Sequence, residues 1–262
     1  MGIPPLSPLR ALDLISSEEV VAVVAAIRDS SSPEAQSGLR FMECHLADPD
    51  PDHVVQVDLG VAPTTVIQRK LRVCTWNKVC NTTRIWIVEM ETLRDGRVQG
   101  HLGDSWVVPD VQPPTSAEEY EEVENAVKID RGVIEALRRR DITDMRLIMV
   151  DPWCAGYFGE EDAPSRRLSR PLIYLRTDSE LGPDDNGYSR PVEGIHVVVD
   201  LQSMRVISVH DEELVPIPPP DPLRNYIGER VPGALPLKPL SVVQPEGPSY
   251  HVEGNAVSWN NW

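Results

Sequence analysis

Six histidines and four cysteines are the side chains of this sequence best suited to hold a metal or act as nucleophiles. A transition-metal centre needs imidazoles placed to converge, commonly two on one strand as His-x-His. His45, His53, His101, His196, His210 and His251 contain no such pair. His45 and His196 read as ordinary strand residues, and His210 as a strand end. Cys44, Cys74, Cys80 and Cys154 lack zinc-like spacing. Reduced thiols in an intracellular compartment are the expectation. Gly-x-Ser-x-Gly, a phosphate-binding loop and His-Glu-x-x-His are all absent. The run Glu118-Glu119-Tyr120-Glu121-Glu122 has the composition of a carboxylate site, but on a helix it reads as a solvated face. Arg166-Arg167 reads as a salt-bridge pair before an anion site. Trp76, Trp86, Trp106 and Trp153 read as core or interface aromatics. No catalytic, cofactor-binding or metal-ligating residue is therefore assigned.

The bulk numbers narrow the partners. The chain has 262 residues, room for about two domains. With 41% hydrophobic and 25% charged residues it can build a packed core. A net charge of −16 repels phosphate backbones and offers no basic patch to lipid, so neither nucleic acid nor membrane is an expected partner. No apolar run approaches the roughly 18 residues of a membrane helix. Met1 to Arg10 has no signal-peptide core, so the sequon Asn81-Thr82-Thr83 is expected to go unused.

These side chains must be positioned by two similar runs of elements. Ser16 with Glu19 reads as a capping box opening a helix to Asp29, with Val20, Val24 and Ile27 on one face. Strands are expected at Leu39–Leu46, Val54–Leu59, Leu71–Trp76 and Arg84–Met90, with a break at Gly96–Gly103. The order then repeats. Thr115 with Glu118 reads as a second box before Tyr120, Val123 and Val127. A shorter helical piece follows at Ile134, Ala136 and Leu137, ending in Arg138-Arg139-Arg140, where cations suit the helix dipole. Strands are expected at Met145–Val150, Leu172–Thr177, Ile195–Leu201 and Arg205–His210, the last two turning at Gln202-Ser203. The fold class is α+β: two units, each a helix on a four-stranded antiparallel sheet. The units are placed at 1–108 and 109–215, a Pro-rich connector at 216–248, and a hairpin turned at Gly254-Asn255 within 249–262. That hairpin's apolar face has no following partner here, so the sequence reads as ending inside a domain.

Several stretches carry a family resemblance. Val107-Val108-Pro109-Asp110-Val111-Gln112-Pro113-Pro114 resembles the entry to the third domain of copper amine oxidases. Met149-Val150-Asp151-Pro152-Trp153-Cys154-Ala155-Gly156-Tyr157 is similar to a segment of that domain. So are Ala163-Pro164-Ser165-Arg166-Arg167-Leu168 and Arg190-Pro191-Val192-Glu193-Gly194-Ile195. Gln244-Pro245-Glu246-Gly247-Pro248-Ser249 resembles the threshold of the catalytic domain, and Trp259-Asn260-Asn261-Trp262 its first strand. The resemblance covers roughly 84–262 and is closest to a plant peroxisomal branch.

The resemblance implies two small cystatin-like domains, N2 and N3, ahead of a large β-sandwich that is only begun here. It implies a family chemistry in which a primary amine and oxygen give aldehyde, ammonia and hydrogen peroxide at a tyrosine-derived quinone. It also implies one copper held by three histidines, a homodimer formed through the large domain, and a peroxisomal address that Asn260-Asn261-Trp262 does not supply. The quinone precursor sits in Thr-x-x-Asn-Tyr-Asp/Glu. Here Asn225-Tyr226 has Pro222 in place of Thr and Ile227 in place of the acid. The expectation is thus a chain without copper or topaquinone of its own. The other reading is a stand-alone cystatin-like binding module. Its protease-inhibiting Gln-x-Val-x-Gly loop is met only by Gln56-Val57-Asp58-Leu59-Gly60, with Asp in the Val position.

Overall fold

A computed structural model describes residues 12–63, 67–159, 165–177, 185–221, 238–254 and 256–259. The chain divides into two compact units, Met1–Pro220 and Asp221–Trp262. The first holds two helix-on-sheet halves.

In the first half, α1 (Ser17–Asp29) opens on the expected box. Ser16 Oγ accepts from the Glu19 amide, and the Glu19 carboxylate accepts from the Ser16 amide. The inward stripe is Glu19, Val23 and Ile27, not Val20, Val24 and Ile27. A buried arginine below the helix draws Glu19 inward, and that rotates Val20 out to 39% exposure. A short helix α2 (Pro33–Ser37) leads into β1 (Leu39–Leu46).

Val54–Leu59 was expected as a strand, but it lies in helix α3 (Pro51–Asp58) and its C-cap. Asp50 caps the Asp52 amide, and Pro51 supplies a fixed φ in the first turn. The Gln56-to-Gly60 stretch is therefore a helix end. Strands β2 (Lys70–Asn77), β3 (Thr82–Thr92) and β4 (Val98–Val108) complete an antiparallel sheet in the order β1-β2-β3-β4. The expected break at Gly96–Gly103 is instead a turn at Gly96 followed by the fourth strand. Gly100 sits where α1 crosses: a Cβ there would lie 3.0 Å from Val88 Cγ1 and 3.3 Å from Ala22 O. The glycine marks close helix packing rather than a strand end.

The second half repeats the plan. Helix α4 (Ala117–Ile129) starts one residue later than expected, capped by Ser116 with Glu119 rather than Thr115 with Glu118. Both tetrapeptides fit the pattern. The one used aligns Glu119 with Val123 and Val127 on the buried stripe and leaves Tyr120 45% exposed. Asp130 caps α5 (Arg131–Arg138), which buries Val133, Ala136 and Leu137. Met145–Leu147 forms a single 3-10 turn before β5 (Ile148–Asp151).

Strands β6 (Leu168–Ser169), β7 (Leu172–Leu175), β8 (Ile195–Asp200) and β9 (Arg205–Asp211) follow. β6 and β7 are one strand broken around Pro171, which has no amide to give the ladder. β5 pairs with β7, and its extension reaches β6 through the Cys154–Ser169 bridge. On the other side β6 pairs with β8, while Val192 N donates to Ile173 O and Leu175 N to Arg190 O. β9 closes the order beside β8. The strands thus form a two-stranded sheet, β5-β7, and a three-stranded sheet, β6-β8-β9, joined by the Cys154–Ser169 bridge, under an apolar core of Val123, Val127, Leu137, Ile148, Val197 and Val199.

The second unit contributes a hairpin, β10 (Tyr250–Glu253) with β11 (Ala256–Trp259). Tyr250 faces Trp259 and Val252 faces Val257 across it, all four exposed. Asn255, Asn260-Asn261-Trp262, Ala163-Pro164 and Asn225-Tyr226 lie outside the described residues.

Candidate functional site

The histidines occupy six different elements. His45 is 3.5 Å from Glu43 on β1, and His101 on β4 is 3.0 Å from Glu91. Strand pairing sets His196 opposite His210, a neighbourhood that spacing in the sequence does not reveal. Among the described residues no group of three His, Cys, Asp or Glu is placed to hold a metal ion. As placed, these six imidazoles do not fit a three-imidazole copper site. All four cysteines are free thiols; burial pushes Cys44 and Cys74 above the ordinary thiol range, while Cys80 and Cys154 are exposed.

The charged groups that do converge are structural, and they come in a matched set. Arg69, just before β2, forks onto Glu19: Nε to Oε1 at 2.5 Å and Nη2 to Oε2 at 3.0 Å. Arg167, just before β6, forks onto Glu119 at 2.8 and 2.6 Å. Each arginine also donates to backbone ahead of its helix, Arg69 to Leu14 O and Arg167 to Pro113 O and Pro114 O. All four side chains are 5% exposed or less. Ser16, Glu19, Val23 and Ile27 find their counterparts one hundred residues on, as Ser116, Glu119, Val123 and Val127. One device thus serves twice: a helix N-terminus, its capping glutamate and the arginine opening the second strand are tied at one point. Burying such ions is costly, and only full hydrogen bonding offsets the loss of water. Glu119 is therefore not part of a solvated face, although its neighbours Glu118 and Glu121 are exposed.

The same arginine closes the seam between the halves. Arg167 lies over the Trp76 ring, 4.8 Å from its centroid. Trp76 Nε1 donates to Asn81 Oδ1 at 2.9 Å, and Asn81 Nδ2 donates to Ser165 O at 2.5 Å. Both amide atoms of the sequon asparagine are thus occupied within the fold. Arg40 of β1 donates from Nη2 alone to both carboxylate oxygens of Glu122 on α4, at 2.8 and 3.0 Å.

The surface feature that stands out is aromatic. Asp151, at the end of β5, accepts from Trp153 Nε1 at 3.1 Å and from the Tyr188 hydroxyl at 3.3 Å. Tyr188 stands edge-on to Tyr174, centroids 4.9 Å apart. Burial, with Asp151 beside it, pushes the Tyr174 phenol above its ordinary value. Trp153 and Tyr188 remain more than half exposed, as do Tyr157 and Phe158 a few residues on. The polar atoms of Trp153 and Tyr188 are satisfied while their ring faces meet water. Trp153 and Tyr188, joined on one carboxylate, present the kind of apolar surface that a protein interface or binding groove offers. Of the four tryptophans singled out by sequence, Trp76 is core, Trp86 half-buried, and Trp106 and Trp153 exposed. Tyr188 was missed, because only the strand pairing brings it beside Asp151.

Fold and site together define a pair of helix-on-antiparallel-sheet domains carrying an exposed aromatic face. Residues 118–228 match the family described as copper amine oxidase, N3 domain. That match is to a domain of copper amine oxidases, and the relatives that align along nearly the whole chain are copper-containing or primary amine oxidases. It is 44% identical to a peroxisomal copper-containing diamine oxidase of Nicotiana tabacum, over 96% of this chain and 35% of the relative. It is 33% identical to a primary amine oxidase of Arthrobacter, over 96% of this chain and 36% of the relative. The chain thus spans about a third of the length of the curated relatives it matches. The crystal structure of Pichia pastoris lysyl oxidase superposes with a TM-score of 0.54 at 10% identity, covering 97% of this chain and 40% of that one, a likeness of fold.

Proposed function

We propose that this chain is the non-catalytic amino-terminal part of a copper amine oxidase, and that it serves to dock on and frame the access to a catalytic domain. The two helix-on-sheet halves act as the N2 and N3 domains. The domain that would bring copper, topaquinone and the dimer contact is the large β-sandwich implied by the family resemblance. There a primary amine and oxygen would become aldehyde, ammonia and hydrogen peroxide. A peroxisomal setting follows from the tobacco relative, whose name carries it.

The observation that carries this reading is the aromatic face. Trp153 and Tyr188 are held in place by one carboxylate yet stay more than half exposed. Water gains nothing from rings fixed in that way, whereas a partner surface gains preorganised apolar area without an ordering cost. Large aromatics at such positions are the residues that dominate interface energies.

The reading predicts that the double variant Trp153→Ser, Tyr188→Ser folds with near-normal stability and binds more weakly to a copper amine oxidase catalytic domain from which the N2 and N3 domains have been removed. The wild-type chain should associate with the same preparation. Isothermal titration of both proteins against that domain is the check, with an interface truncation of this kind expected to cost about 2 kcal/mol or more, roughly thirtyfold in Kd. Equal binding by both would remove the basis for the reading.

A further inference from the structure

The chain does not simply leave the second sheet after β9. Asp211 Oδ1 accepts from Arg140 Nη1 at 2.9 Å, and Asp211 also pairs with Arg139. Two residues on, Glu213 O accepts from Arg140 Nη2 at 2.5 Å. Glu212 N donates to Gly194 O at 3.0 Å. Ile217 packs on the core of the second half, and Pro218 O accepts from Arg190 Nε at 2.9 Å. Arg140 is the more deeply placed clasp, its side chain 3% exposed and also bonded to Ala136 O and Glu193 O. At the crossing point stands Gly194, with φ +76°; a Cβ there would lie 2.2 Å from Glu213 O. Only glycine lets the outgoing chain lie so close.

Arg190 has a second connection. It follows the 3-10 turn Gly187–Ser189, which carries Tyr188. Its amide donates to Gly187 O at 2.9 Å, closing that turn, and its carbonyl accepts from Leu175 N at 3.0 Å. Its guanidinium reaches Pro218 O on one side and Arg176 O on the other. One residue therefore closes the turn with its backbone and grips the outgoing chain with its side chain.

We propose that residues 211–218 form a strap clasped by Arg140 and Arg190, and that Arg190 makes the pose of Tyr188 depend on the strap being seated. Tension on the outgoing chain is then felt at the aromatic face: unseating Pro218 frees the guanidinium and loosens the turn that presents Tyr188. The inference rests on the docking reading only in giving Tyr188 an interface role. The coupling itself is a property of this chain alone.

The test is amide hydrogen exchange on the whole chain, wild type against Gly194→Ala and Ile217→Asp. Both variants act on the strap, one at the crossing and one at the core contact, and neither alters the turn. Exchange at the Glu212 amide is expected to rise at least tenfold in each, and exchange at the Arg190 amide to rise with it, while the amides of β2 and β3 keep their protection. A faster Glu212 amide with an unchanged Arg190 amide would overturn the coupling. Unchanged exchange at both sites would overturn the strap. If Gly194→Ala does not fold, Ile217→Asp, at a partly exposed position, answers both points. The exchange is measured without a partner domain added, so failure here leaves the docking result untouched, and the reverse.

Discussion

Glu119→Ala is expected to destabilise the chain by about 3–5 kcal/mol, because it strips a buried guanidinium of its counter-ion. At about 2–4 °C per kcal/mol for a domain of this size, the melting temperature should fall on the order of 10 °C. The loss has two named parts. Arg167 keeps its carbonyl partners Pro113 and Pro114 but loses both carboxylate bonds while staying buried. The Ser116 amide loses its cap acceptor at the same time. Glu121→Ala, on the exposed side of the same helix, should stay within about 0.5 kcal/mol. Urea unfolding followed by circular dichroism separates the cases. Similar losses for both glutamates would mean that the Glu119 pair does not hold the helix to its sheet.

Trp76→Ala should cost a similar amount, about 3–5 kcal/mol, through a different mechanism. The indole is fully buried, so its removal leaves a cavity that the two sheets cannot close without moving. It also removes the ring beneath Arg167 and the donor that holds Asn81. Trp76→Phe keeps most of the volume and leaves the Asn81 acceptor unpaired, for about 1–3 kcal/mol. Since Trp76 and Arg167 touch, Trp76→Ala combined with Glu119→Ala should be non-additive, while Trp76→Ala with Glu19→Ala should add within about 0.5 kcal/mol. Thermal and chemical unfolding of the single and double variants read this directly.

How much of this was legible in the sequence differs from element to element. The α+β repeat of helix and sheet was readable because capping residues and alternation are local signals. The first capping box was found at the right residues. The second was placed one position early because Thr115-x-x-Glu118 and Ser116-x-x-Glu119 satisfy the same rule, and only the burial of Val123 and Val127 chooses between them. β4 was lost to its glycines, which answer to α1 crossing above Gly100, a tertiary fact. Val54–Leu59 was read as a strand-like run, and the helix start at Asp50-Pro51 overruled it.

The face of α1 was misjudged for an instructive reason. A glutamate on the buried stripe looks like an error of pattern until Arg69, fifty residues away, is placed beneath it. The same holds at Glu119, which its place in a charged helical run assigned to a solvated face. The candidate face was half legible: Trp153 was singled out as a core or interface aromatic, but Tyr188 joins it only because residues 190–192 lie against β7 and hold its turn near Asp151.

Under the proposed function this polypeptide frames a reaction that it does not perform. This is tested by giving the purified chain copper, oxygen and a primary amine, and following hydrogen peroxide release together with the visible spectrum. The predicted result is peroxide no faster than in a protein-free control and no quinone absorption band. Sustained amine-dependent peroxide release accompanied by such a band, from this chain alone, would contradict it.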